Sequence, residues 1–175
     1  GISAEVAGDL VQDALQCDEG EPPWKEEGKW RIAFFPGSRP DIRAVALPYL
    51  GAVASSLREY HCPVEIATLL SPFVSGEEWK RWREHGLNPT SAGTGQVLKD
   101  ADLALTQPGT NTLELLQSAV PCIVAVPERF FSIVPLPGPA GFLGKIPGLG
   151  GVVRHVARDR IKSRRYVAWP NRIVR

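Results

Sequence analysis

Residues 30–35 read WRIAFF, an unbroken apolar and aromatic run that stops at Pro36-Gly37-Ser38-Arg39-Pro40, and this arrangement recurs along the chain. A short apolar run closed by turn residues predicts a buried strand. Beyond the turn, Ile42, Val45, Ala46, Tyr49, Leu50, Val53 and Leu57 follow at steps of three and four, which predicts one apolar helix face. Pro48 predicts that the regular helix begins near it or is irregular before it. The pattern then repeats: a strand over 64–70 (VEIATLL), a surface helix over 76–85 (GEEWKRWREH), a strand over 101–106 (ADLALT), a helix over 113–119, and a strand over 122–126 (CIVAV). Trp79 and Trp82, one turn apart, are expected to face inward as packing anchors. The stretch 88–95 carries no clear pattern and leads into Gln96-Val97-Leu98-Lys99. Strands alternating with helices at this spacing require right-handed crossovers and therefore a mostly parallel sheet flanked by helices, an α/β fold.

In such a sheet, ligands bind outside the carboxyl ends of the strands. The loops at 36–40 and 107–111 each follow a predicted strand and precede a helix, so both are expected to border one cleft. In the first loop, Gly37 allows close approach, Ser38 offers a hydroxyl, and Arg39 carries a guanidinium whose fork suits phosphate oxygens. The start of the next helix adds backbone donors and a dipole favourable to an anion. The second loop repeats the logic: Gly109 gives clearance, Thr110 and Asn111 offer side-chain hydrogen bonds, and Thr112 is placed to cap the coming helix. Glu114 has two readings, as a first-turn carboxylate favoured by the helix dipole and as an acceptor for the two hydroxyls of a ribose.

Other chemistries lack their motifs. No glycine-rich loop ending in lysine and serine or threonine occurs, and Gly93-Thr94-Gly95 lacks the third glycine of a dinucleotide fingerprint. Ser38 does not sit in Gly-x-Ser-x-Gly. His61, His85 and His155 have no ligand-like grouping, so no metal is expected. Cys17, Cys62 and Cys122 are widely spaced and odd in number, which fits separately packed, reduced thiols.

The net charge is +1, which implies no nucleic-acid partner. The charge is uneven, however: residues 154–175 hold eight Lys or Arg against Asp159, +7, and the remainder carries −6. That tail suits either phosphate and an anionic membrane or a solvated face beside the acidic body. The preceding apolar stretch, 130–151, reads as a long loop, either a packed excursion or a lipid-facing lid. No stretch approaches the roughly 18 apolar residues of a spanning helix, and no secretory signal opens the chain, so a cytoplasmic location is expected. Peripheral attachment to the cytoplasmic membrane face is compatible with it.

Three segments, taken in order, resemble the carboxyl-terminal domain of lipid-A-disaccharide synthase and related two-domain glycosyltransferases of the GT-B type. They are FFPGSRPDI with LPYL (34–42 and 47–50), ADLALTQPGTNTLELLQSAVPCIVAV (101–126) and AWPNRIV (168–174). VAGDLVQDAL (6–15) resembles the crossing from the acceptor domain to the donor domain. The resemblance implies a Rossmann-like, UDP-sugar-binding core at 30–129, with a lead-in segment and linker at 1–29. Residues 130–175 would be an apolar loop and basic extension packed on the same domain.

The implied activity is transfer of an acylated glucosamine unit from a UDP-sugar, of the UDP-N-acetylglucosamine type, to a lipid-linked sugar. Gly37, Ser38 and Arg39 would lie at the donor phosphates, and Gly109, Thr110 and Asn111 would line the same pocket. Glu114 would hold the ribose, while Gln96 and Val97 would border the uracil. UDP-sugar would be a substrate, with no further cofactor. The general base is not assigned, and the acceptor would require an amino-terminal domain, so this chain alone is expected to be catalytically incomplete. Pro108 departs from the family, which commonly has a small residue such as serine there, and Asn111 stands at an alanine-like position. A nucleotide-binding domain without turnover and a sugar-nucleotide epimerase are the alternatives.

Overall fold

The computed structural model describes residues 10–17 and 21–127. The expectations for 1–9, for the apolar stretch 130–151, for the basic tail and for AWPNRIV lie outside the described residues. Ten elements follow in order: α1 (Leu10–Cys17), β1 (Trp30–Phe34), α2 (Pro40–Glu59), β2 (Val64–Leu69), α3 (Gly76–Glu84), β3 (Pro89–Thr90), α4 (Thr94–Leu98), β4 (Leu103–Thr106), α5 (Asn111–Gln117) and β5 (Cys122–Val124).

The five strands form one sheet in the order β3-β2-β1-β4-β5, with every pairing parallel. This is a Rossmann-like topology, whose strand order reverses between β1 and β4. Side-chain alternation along the strands builds a core on each face. Ile32, Phe34, Ile66, Leu70 and Leu105 meet Ile42, Ala46, Leu47, Leu50 and Ala54 of α2 and Trp82 of α3. On the other face, Ala33, Phe35, Ala67 and Ala104 meet Val97 and Leu98 of α4 and Leu115 of α5. Each large side chain so buried contributes roughly 1.5–3 kcal/mol.

Three local details refine the sequence reading. The helix α2 runs without interruption through Pro48, which lies inside it. Pro48 and Ala44 are both exposed, so the Ala44 carbonyl that loses its helical N–H partner lies on the solvent side, where water can donate to it. The buried stripe of α2 is Ile42, Arg43, Ala46, Leu47, Leu50, Gly51 and Ala54. Tyr49, expected on that face, sits at its edge and is exposed. Trp82 is fully buried, whereas Trp79 is half-buried beneath the Arg83 guanidinium, 5.9 Å from its ring centre.

The strand β3 was hidden by its own sequence, because Pro89 cannot donate to a ladder. It is tolerated at the sheet edge, where Asn88 and Thr90 carbonyls accept from Thr68 and Leu70 N–H at 2.7 and 3.0 Å. Residues 21–29 are fastened to the sheet without joining it. The Trp24 indole donates to the Val97 carbonyl at 3.1 Å, and the buried Glu65 carboxylate accepts the Lys25 and Glu26 amides at 2.8 and 3.2 Å. No helix among the described residues is long and apolar enough to cross a membrane.

Candidate functional site

Strands β1 and β4 are neighbours and point the same way, so the loops that leave their carboxyl ends emerge side by side at the reversal of strand order. The two loops are tied directly. Phe35 N–H donates to the Leu105 carbonyl at 2.9 Å, and the Gln107 side-chain amide donates to the Pro36 carbonyl at 2.6 Å.

Gly37 is indispensable to that junction for two reasons. Its φ is +93°, in the region side chains avoid. A Cβ there would also stand 2.1 Å from Gln107 Nε2 and 3.0 Å from Ile42 Cγ2. Gly109 differs: its φ is not positive, and the nearest atom to a Cβ would be the Gln107 carbonyl oxygen at 3.9 Å. Among the described residues nothing crowds an added side-chain atom at 109, and the position is exposed.

Ser38 and Arg39 are exposed, and Arg39 is the capping residue just before α2, whose first residue is Pro40. Among the described residues, no acceptor lies against the backbone N–H groups of Gly37, Ser38 and Arg39, and no carboxylate pairs with Arg39. Peptide donors and a guanidinium are thus left toward solvent at the start of a 20-residue helix, an arrangement that favours an anion.

The second loop is built differently. Thr110 is exposed, Asn111 is half-buried, and their side-chain oxygens lie 3.5 Å apart, too far for more than a weak interaction. Thr112 does not cap α5. It is buried in the first turn, and its hydroxyl donates to the Gly109 carbonyl at 2.6 Å, which fixes the loop from below. Thr110 stands at the cap position before α5 but makes no side-chain cap, and Glu114 lies half-buried in the first turn. Pro108 contributes no N–H to the loop.

Gln96 and Val97 lie on α4, with Gln96 half-buried. Val97 has no exposed surface, and its carbonyl is engaged by Trp24. Beside the two loops, Phe35, Tyr49, Leu105, Gln107, Ala125 and Pro127 border a shallow, mostly apolar recess.

Sequence reasoning missed Arg43. Its guanidinium is buried, with Nε and Nη2 on the two Glu78 carboxylate oxygens at 2.7 and 3.1 Å, while Nη1 donates to the Ser38 carbonyl. The same guanidinium holds the Glu78 carboxyl below its ordinary range, outweighing the opposite effect of burial. The available signal was an arginine one residue past Ile42, aligned with Leu47 and Gly51 on the stripe that packs inward. Among the described residues no three His, Cys, Asp or Glu side chains gather as metal ligands do.

Comparison of the chain with protein-family models and with curated proteins returns no match. Fold and crevice by themselves define a Rossmann-like α/β domain, of a general kind that suits nucleotides and sugars, with two joined loops at its switch point.

Proposed function

We propose that the crevice outside β1 and β4 binds the diphosphate of a UDP-sugar, of the UDP-N-acetylglucosamine type, as the donor-binding half of a hexosyltransferase. The observation that carries this reading is the junction of the two loops through Gln107, with the amides of 37–39 and the Arg39 guanidinium left without protein partners among the described residues. A diphosphate would supply the missing acceptors. Gly109 supports the reading, since it is exposed and uncrowded among the described residues, which admits a ligand close to the backbone. Thr110, Asn111 and Gln96 are the adjoining polar groups, and Glu114 is the carboxylate assigned to the ribose.

Transfer would also require an acceptor domain presenting a lipid-linked sugar. On the donor side, Arg39 and the loop amides would stabilise the charge that develops on the departing diphosphate. Titration of the chain with UDP, UDP-N-acetylglucosamine and uridine tests the reading. Saturable binding that strengthens from uridine to UDP is expected, and equal or absent binding of all three would refute it. Glu114→Gln should weaken UDP and uridine alike, by about tenfold if a charged ribose contact is lost.

Pro108 favours a second reading, nucleotide binding without turnover, because it removes one N–H that the second loop could otherwise offer a phosphate. UDP release with a lipid-linked acceptor, assayed in a protein that carries both halves, separates the two.

A further inference from the structure

The loop at 36–40 is held through its carbonyls. Gln107 donates to Pro36 C=O, and Arg43 donates to Ser38 C=O. In a planar trans peptide the N–H points opposite to the C=O. Fixing those two carbonyls inward therefore turns the N–H groups of Gly37 and Arg39 away from Gln107 and Arg43.

Arg43 is suited to this task in a way that lysine is not. Three of its nitrogens act at once in one plane, two on Glu78 and one on the Ser38 carbonyl. Glu78 is itself anchored: Ser75 Oγ accepts its N–H at 3.2 Å at the start of α3, and the Trp82 indole lies 3.5 Å from its Oε1. The geometry thus passes from α3 through Glu78 and Arg43 to the peptide between Ser38 and Arg39. Apolar residues of the same volume would pack equally well there. They would leave the Ser38 carbonyl without a donor and its peptide free to turn.

We infer that Arg43 is a positioning residue, held by Glu78, that aims the Arg39 amide at the ligand's diphosphate and so makes the site selective for the phosphorylated nucleotide. This rests on the reading under Proposed function, and the test separates the two. UDP and uridine affinities are measured by calorimetry for the wild-type chain, Arg43→Lys and Glu78→Gln, with circular dichroism as the check on folding.

Arg43→Lys should lower UDP affinity about tenfold, the worth of one amide–phosphate hydrogen bond, and leave uridine affinity unchanged. Glu78→Gln should act in the same direction by about threefold, since the amide retains one of the two acceptors facing Arg43. If both variants fold and keep the wild-type ratio of UDP to uridine affinity, the inference is overturned while nucleotide binding stands. An equal fall in both affinities would overturn it as well, because that marks a general structural effect. A wild-type chain that binds neither ligand defeats the underlying reading instead. Should Arg43→Lys not fold, the ratio in Glu78→Gln decides.

Discussion

The two ends of the sheet treat the backbone of their loops in opposite ways. At the amino end, the buried Glu65 accepts the amides of Lys25 and Glu26, and Arg58 donates to the Gly86 carbonyl, all of them lining one groove. At the carboxyl end, the carboxylate of Glu78 is committed to Arg43, Arg43 and Gln107 take carbonyls, and the amides of 37–39 have no acceptor among the described residues. Backbone donors are costly to leave unpaired away from water. One end is closed by its own side chains, and the other is organised while its donors stay available. Only the second arrangement has something to gain from an anion.

Paired glycines give the strongest way to break this contrast. Gly37→Ala combines a strained φ with a clash against Gln107, so it should cost about 2–3 kcal/mol in urea unfolding and at least about tenfold in UDP affinity. Wild-type UDP affinity in that variant would remove the case for a built site.

At the amino end, Glu65→Ala leaves two amides without their acceptor. Because Lys25 and Glu26 are exposed, water compensates in part, and a loss of about 1–2 kcal/mol with unchanged UDP affinity is expected. Coupled loss of binding would show that the two ends are not independent.

Gly86→Ala is smaller still. Its φ of +71° costs about 1 kcal/mol for alanine, and the Arg58 guanidinium, 2.5 Å from the new Cβ, is the end of a flexible side chain that can move. The same denaturation and titration pair should report a modest stability change with no change in ligand affinity.

The smallest effect is that of pH. Since Arg43 lowers the Glu78 carboxyl in the folded state, ionised Glu78 stabilises the fold above the ordinary carboxylate range. That contribution is lost as pH falls through the lowered value. Glu78→Gln should therefore be less stable than wild type at neutral pH and converge with it in acid, as followed by thermal unfolding.

How much of this was legible follows from which forces leave a mark in sequence. The runs WRIAFF and VEIATLL showed β1 and β2, and the spacing of the 36–40 and 107–111 loops placed both after strands, because burial imprints a period on the chain. The short edge strand β3 left none, carrying a proline and two residues in all. Residues 94–98 are too few to show helical periodicity, so α4 leaves no mark in the sequence and the burial of Val97 shows only in the structure. Arg43 and Gln107 act through single contacts with carbonyls, and a contact between one side chain and a distant peptide has no periodicity to detect. The turn residues of 36–40 put Gly37, Ser38 and Arg39 on one loop, but nothing in them indicates what holds that loop still.

The proline within α2 takes on a mechanical sense from this. A helix of 20 residues is about 30 Å long, and this one reaches from the crevice to the groove where Arg58 is pinned. With one rung missing at Pro48, it is most easily bent there. A tilt of about 5° at that point would carry Arg39, about 14 Å away, through about 1 Å, enough to spoil a hydrogen bond. Ser38, Arg43 and Glu78 tie the crevice half of the helix to α3, as a diagonal brace stiffens a frame that would otherwise sway at its weak joint.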